Sequence, residues 1–378
     1  MRSGHWMIGS MGALLLCCAV LRPALAAEPR ADSADRPKIG LALSGGGARG
    51  AAHVGVLRVL EELRIPIDCI AGTSMGSIIA GLYAAGMTPD EIEAALKTMD
   101  WENIFNDKPP REERSFRRKR DDDLYLVKAK PGYSDGEIKL PSGLIQGQKF
   151  DLALRKLALR ASKTHDFDEL PIPYRAVASD IGTGEMVVLG EGDIAVAMRA
   201  SMAVPGAFAA TVIDGRTLVD GGITNNLPIS VVRDMCADIV IAVDISTPLM
   251  KPEEVRNVLK ITEQLTGIMT RTNTEQQIAT LTERDVLIIP DLGDITSGDF
   301  MRSKDAVATG LAAADAKRAE LARLSVTQAE YRAHIAARKA ADVENPIVEF
   351  VRIDNRSRLA DGVIRERLHI PLGEPLDT

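Results

Sequence analysis

Two short apolar runs, each followed at once by a glycine-bearing turn and then an apolar helical pattern, constrain this chain more than anything else in it. Residues 38–43 (KIGLAL) read as a buried strand and residues 45–50 (GGGARG) as a turn. Residues 51–63 read as a helix, with Val54, Leu57 and Leu60 at helical spacing. Residues 67–71 then predict a second buried strand and 75–85 a second helix. Strand–turn–helix repeated in this way requires parallel strands, and parallel strands are covered by helices. The expected fold class is therefore α/β, with a mainly parallel central sheet flanked by helices.

Further strands are expected at 174–179, 186–189, 218–219, 239–243 and 286–289. Helices are expected at 148–161, 228–235 and 255–281, and an Ala-rich helix at 303–341. Met198, Met202, Met250 and Met269 are expected in the core. Residues 100–145 are less regular and suit a lid or a lipid-facing surface. The mixed run from Arg111 to Asp123 inside them, basic first and acidic last, reads as a solvated charged loop. No internal repeat is present.

The amino-terminal end has its own character. Arg2 supplies a positive start, Trp6 to Leu21 are nearly all apolar or small, and Ala24-Leu25-Ala26 is a small-x-small cleavage pattern. Residues 1–26 therefore read as a secretory signal peptide and 27–37 as a polar linker. The expected destination is the periplasm, the outer membrane or the exterior. Removing residues 1–26 takes away Arg2 and Arg22 and no acids, so 46 − 2 = 44 basic residues face 53 acidic ones, a net charge of −9. That balance argues against nucleic acid as a general partner. Cys69 and Cys236 remain after cleavage. Both fall in or beside buried segments and are expected as packed thiols rather than a disulfide or metal pair. No Cys/His cluster has metal-ligand spacing, so neither a metal nor a cofactor is expected.

Gly72-Thr73-Ser74-Met75-Gly76 falls between the second strand and the second helix. A tight turn there would expose the Ser74 hydroxyl at the helix N-terminus, and side chains at positions 72 and 76 would collide with backbone. A serine is also a common helix cap, but the buried strand before it favours a nucleophile. In Gly45-Gly46-Gly47-Ala48-Arg49-Gly50, residues without side chains let backbone N–H groups converge on an anion. Gly45, Gly47 and Gly50 also fit a dinucleotide pattern, with Asp68 as the ribose acid. Asp68, however, starts its strand, and the carboxyl end of that strand leads to Ser74 instead. Among the five histidines only His53 could serve as a base, and a packed histidine is its better reading. Asp220-Gly221-Gly222 follows the expected strand 218–219. Alone it reads as a turn, yet it would also place a carboxylate in an open approach.

These three motifs, in this order, resemble the patatin-like phospholipase family. Residues 200–208 (ASMAVPGAF) and Asn226-Leu227-Pro228 resemble its blocks around the aspartate, and the likeness spans about residues 38–290. The resemblance implies a three-layer patatin-like fold over 38–341 and a Ser74–Asp220 dyad without histidine. It implies oxyanion binding by the N–H groups of Gly45, Gly46 and Gly47, with Arg49 in support. The partners it implies are a phospholipid or other acyl ester and a membrane surface, and a homodimer is compatible with it. Residues 346–378, with an alternating strand at 347–353 and a helix at 362–368, resemble the opening of a POTRA domain. In one bacterial group a signal peptide, a patatin-like domain, a POTRA domain and an outer-membrane barrel share one chain. No barrel follows here, which suggests a truncated product or fragment.

Overall fold

The computed structural model describes residues 36–109, 111–124, 132–134, 136–139, 143–338, 347–355, 359–368 and 370–374. The expected signal peptide and nearly all of the linker lie outside the described residues.

The strands are β1 (Ile39–Leu43), β2 (Cys69–Thr73), β3 (Gly132–Ser134), β4 (Glu137–Lys139), β5 (Tyr174–Asp180), β6 (Met186–Leu189), β7 (Thr211–Ile213), β8 (Arg216–Asp220), β9 (Ile239–Val243) and β10 (Val286–Ile288). Eight of them form one sheet in the order β10-β9-β1-β2-β5-β8-β7, with β6 also paired to β5, while β3 and β4 make a separate hairpin. From β10 to β5 every pair is parallel; β6, β7 and β8 are antiparallel additions. The sheet is thus mixed, with the expected parallel centre. Strand β7 escaped the sequence because its three residues carry too short a pattern.

The helices are α1 (Ala52–Glu62), α2 (Met75–Ala84), α3 (Pro89–Thr98), α4 (Trp101–Ile104), α5 (Phe116–Leu124), α6 (Gln148–Leu157), α7 (Ile194–Ser201), α8 (Ile229–Met235), α9 (Val258–Ile278), α10 (Ser303–Ala316), α11 (Arg318–Ala322), α12 (Gln328–Arg338) and α13 (Asp361–Leu368). Alternation along the central strands builds the layers. Leu41, Leu43, Ile70, Ile241 and Val243 join α1, α2 and α10 in the larger core cluster. Their neighbours Ala42, Cys69, Ala71, Val240 and Ala242 pack with Ile229 and Val232 of α8. Helices α1 and α10 touch backbone to backbone. A Cβ on Gly310 would lie 1.9 Å from the Ala52 carbonyl oxygen, and one on Gly55 would lie 2.1 Å from that of Val307.

Several expectations are corrected. The single helix over 303–341 is three helices, broken at Lys317 and again before a cap in which Thr327 Oγ1 accepts the Glu330 N–H at 3.3 Å. The charged run from Arg111 is a 3-10 turn followed by α5 rather than a loop. Met198 and Met202 are buried, but Met250 is half-buried and Met269 is 48% exposed on α9. Cys69 and Cys236 form a disulfide, with Cα atoms 6.3 Å apart. The start of β2 and the end of α8 meet beneath the sheet, a proximity that positions 167 apart in the chain do not advertise. In place of a strand over 347–353, only local pairing is seen: Val348 accepts the Gly373 N–H at 2.9 Å and donates to the Glu374 carbonyl at 3.4 Å.

Candidate active site

Ser74 occupies the turn from β2 into α2 with φ 54° and ψ −127°. A non-glycine residue at such an angle stores on the order of 1–3 kcal/mol of strain. The two flanking glycines make the turn possible. A Cβ on Gly72 would lie 2.3 Å from the Gly76 carbonyl oxygen, and one on Gly76 would lie 2.5 Å from the carbonyl oxygens of both Leu43 and Ser44. The strained residue is tied down from outside its own helix: its N–H donates to Ser201 Oγ at 2.9 Å, and Ser201 Oγ donates to the Val177 carbonyl at 2.5 Å.

Asp220 ends β8. Its N–H donates to the Ala203 carbonyl at 2.9 Å, and its Oδ1 accepts the Gly222 N–H at 2.8 Å. A Cβ on Gly221 would lie 2.2 Å from the Val177 carbonyl oxygen, so only glycine lets this turn press against β5. Oδ2 is buried and makes no well-aligned hydrogen bond. Burial pushes the Asp220 carboxyl up to about 6, against the opposing pull of the nearby Ser74 hydroxyl and the Gly222 N–H. The Ser74 hydroxyl thus lies near the carboxylate, although Oδ2 makes no well-aligned hydrogen bond.

Both residues line a cleft of about 440 Å³ together with Gly45, Gly46 and Gly47. The glycine loop departs from expectation in two ways. The Gly45 N–H is already given to Asn226, at 3.2 Å to both its Oδ1 and its carbonyl. Gly46 and Gly47 N–H make no hydrogen bond among the described residues and remain available to an anion. Arg49 does not face the cleft: its buried guanidinium donates to the carbonyls of Ile245, Ile295 and Ser246 at 2.9, 2.8 and 3.2 Å. It is a clamp for the loops, with its pKa lowered chiefly by burial despite Asp244 and Asp291.

His53 is fully buried, with Nε2 2.9 Å from the Ser44 carbonyl oxygen and its pKa lowered to about 4 by burial. It packs inside the fold as expected and does not line the cleft. Asp68 Oδ2 accepts the Ile39 N–H at 2.7 Å, where β1 and β2 begin, at the far end of the sheet from the glycine loop. Among the described residues no group of three or more His, Cys, Asp or Glu side chains could hold a metal ion.

Three residues of the site carried no clear signal of their own. Ser201 holds the Ser74 amide. Asn226, marked in the sequence only by the family-like block Asn226-Leu227-Pro228, holds Gly45 and donates from its N–H to Asn273 Oδ1 at 2.8 Å. Asn273 Nδ2 donates onward to the Gly222 carbonyl at 2.8 Å, so one chain of amides spans the glycine loop and the aspartate turn.

Fold and site together define an α/β protein in which a strand–serine–helix turn faces a buried carboxylate across an amide-lined cleft. A family model described as patatin-like phospholipase matches residues 41–233, slightly more than half of the chain. The chain belongs to the patatin-like phospholipase family. It is 37% identical over 211 residues to a patatin-like phospholipase domain-containing protein of Caenorhabditis elegans, covering 55% of this chain and 14% of that protein. It is 34% identical over 217 residues to an NTE family protein of Mycobacterium bovis, covering 57% and 51%. The match thus spans about half of the mycobacterial relative and a small part of the animal one. Among solved structures it is similar to VipD of Legionella pneumophila, with a TM-score of 0.42 and 14% identity over 75% of this chain and 67% of that one.

Proposed function

We propose that the chain is a lipid acyl hydrolase, of phospholipase A or lysophospholipase type, that cleaves fatty-acyl esters through Ser74 and Asp220. Ser74 Oγ attacks the ester carbonyl carbon while its proton passes to Asp220 Oδ2. The N–H groups of Gly46 and Gly47 hold the oxyanion of the tetrahedral intermediate. Collapse expels the alcohol, which takes the proton back from Asp220, and leaves the acyl group on Ser74. Water then attacks the acyl carbon, gives its proton to Asp220, and the fatty acid departs as Ser74 recovers a proton. The observation that carries this reading is the buried, unpaired Asp220 Oδ2 in the same cleft as the strained Ser74.

The test is covalent labelling by a fluorophosphonate together with turnover of a chromogenic acyl ester. Label on Ser74, lost in Ser74→Ala, is expected, and both Ser74→Ala and Asp220→Asn should abolish turnover in folded protein. Full activity in purified Ser74→Ala would sink the proposal. A nucleotide-binding role for the glycine loop is disfavoured by the position of Asp68, which is engaged by the Ile39 backbone away from the cleft.

We further propose export by cleavage after Ala26. Besides the leader pattern, the Cys69–Cys236 disulfide supports this, because such bonds persist in oxidising compartments. An exported protein whose first residue is Ala27 is the expected result of N-terminal sequencing. The likeness of residues 346–378 to the start of a POTRA domain stays a proposal, supported by helix α13 lying between Val348 and the Gly373–Glu374 backbone bonded to it.

A further inference from the structure

Five aromatic side chains from four separate stretches of chain meet at the cleft. Trp101 stacks on Phe300 with ring centroids 4.5 Å apart. Phe105 lies behind both Phe300 and Phe208, at 5.0 and 5.5 Å. Phe150 closes the cluster, 5.6 Å from Phe105 and 5.8 Å from Phe208. Only Phe208 and Phe300 face the cleft; Trp101 and Phe150 are buried. Such offset and edge-on pairs resist displacement.

The cluster is tied to the reactive end of the cleft. The Ser297 carbonyl accepts the Ala48 N–H at 2.9 Å, and a Cβ on Gly47 would lie 2.3 Å from that same oxygen. Phe300, three residues further on, is thereby held beside the glycine loop. Phe208 is held from its other side by the buried Arg199 guanidinium, 5.2 Å from the ring centroid. The buried face of Arg199 is itself fixed by Asp151 at 2.9 Å and by the Ala209 carbonyl at 3.1 Å.

We infer that Phe208 and Phe300 form a rigid aromatic wall of the cleft that limits the length of acyl chain it accepts. This rests on the acyl-hydrolase reading and names its specificity. An alkyl chain lying in an apolar cleft gains roughly fourfold in apparent affinity per methylene until it runs out of room. A wall of interlocked rings cannot yield as a single flexible side chain would, so the gain stops and reverses at one length. Behind Phe300 stands buried Trp101 rather than solvent, so truncating Phe300 opens enclosed apolar space.

The test is a series of p-nitrophenyl esters from butyrate to palmitate, read as kcat/KM ratios between neighbouring lengths. Ser74 labelling by a fluorophosphonate is measured in each protein. The native chain should show a break, with rates rising to one length and falling beyond it. Phe300→Ala should gain about tenfold or more on the first ester beyond the break, the scale at which pockets discriminate single methylenes. Ala207→Leu, which fills the same cleft, should move the break to shorter chains and keeps the test open if Phe300→Ala fails to fold. Unchanged ratios in variants that still label at Ser74 overturn the wall and leave the hydrolase standing, as does a native profile without a break. Absence of both labelling and turnover overturns the hydrolase reading, and the wall with it.

Discussion

The amide of Ser74 and the hydroxyl of Ser201 lie 2.9 Å apart, and this bond is what holds the residue with the most strained backbone in the cleft. Two residues later the Ala203 carbonyl accepts the Asp220 N–H, so the segment 201–203 grips both members of the proposed dyad. Ser201→Ala should therefore lower kcat by about tenfold to a hundredfold, the cost of a reactive group displaced by a fraction of an ångström to one ångström. KM should change little, and Ser74 labelling should slow in step with kcat. A variant that loses thermal stability but labels at the native rate would show that Ser201 serves only the fold.

The pH profile follows from Asp220. Its carboxyl is raised to about 6 and must be ionised to act as a base, so kcat/KM should rise with pH through about 6. Asp220→Asn should remove that limb together with the activity.

The same burial bears on stability. The folded pKa of Asp220 is above its unfolded value, so its contribution favours the fold at low pH and is lost as pH rises through about 6. At neutral pH the buried charge is a cost, and Asp220→Asn should stabilise the protein, by on the order of 1–3 kcal/mol. Denaturant titrations of the two proteins at pH 5 and pH 8 check this, with a gain expected at both and the larger one at pH 8, because the unfolded carboxyl is already ionised at pH 5 while the folded one is not.

His53 has the opposite sign. Held at about 4, it disfavours the fold as pH falls from about 6.5 towards 4, because the unfolded chain takes up the proton first. His53→Leu should abolish this dependence. It also leaves the Ser44 carbonyl without its side-chain partner, at a cost of about 1–3 kcal/mol. Turnover per folded molecule should persist, which would separate a packing histidine from a catalytic one.

The disulfide closes a separation of 167 residues. Loop-closure arguments put its worth at about 3–5 kcal/mol. The paired substitution Cys69→Ala with Cys236→Ala should lower the unfolding free energy obtained from denaturant titration by that amount. Cys69 begins the strand whose other end carries Ser74, so kcat at a permissive temperature should be retained.

The strand–turn–helix units around Gly45–Gly50 and Gly72–Gly76 could be read from the chain because each is local: a run of apolar residues, a glycine demanded by a close approach, and a period change. Asp220 was legible only alongside the other motifs, since Asp-Gly is an ordinary turn taken alone. Asn273 and Ser201 were not legible, because what they do depends on β5, α9 and the glycine loop converging in space. The disulfide was missed for the same reason. The break before α12 is legible in the sequence: Thr327-Gln328-Ala329-Glu330 carries a helix-start signature inside an otherwise Ala-rich stretch.

The close backbone contact between α1 and α10 has a practical side. The family-model match ends at Arg233, whereas β9, β10, the Ser297 carbonyl and α10 all come later in the chain. An expression fragment trimmed to the matched stretch would strip β1 of its neighbour β9, bare the glycine-lined flank of α1 and leave the glycine loop without its contact to Ser297. A fragment meant to keep these contacts must run at least through α10, well past the end of that match.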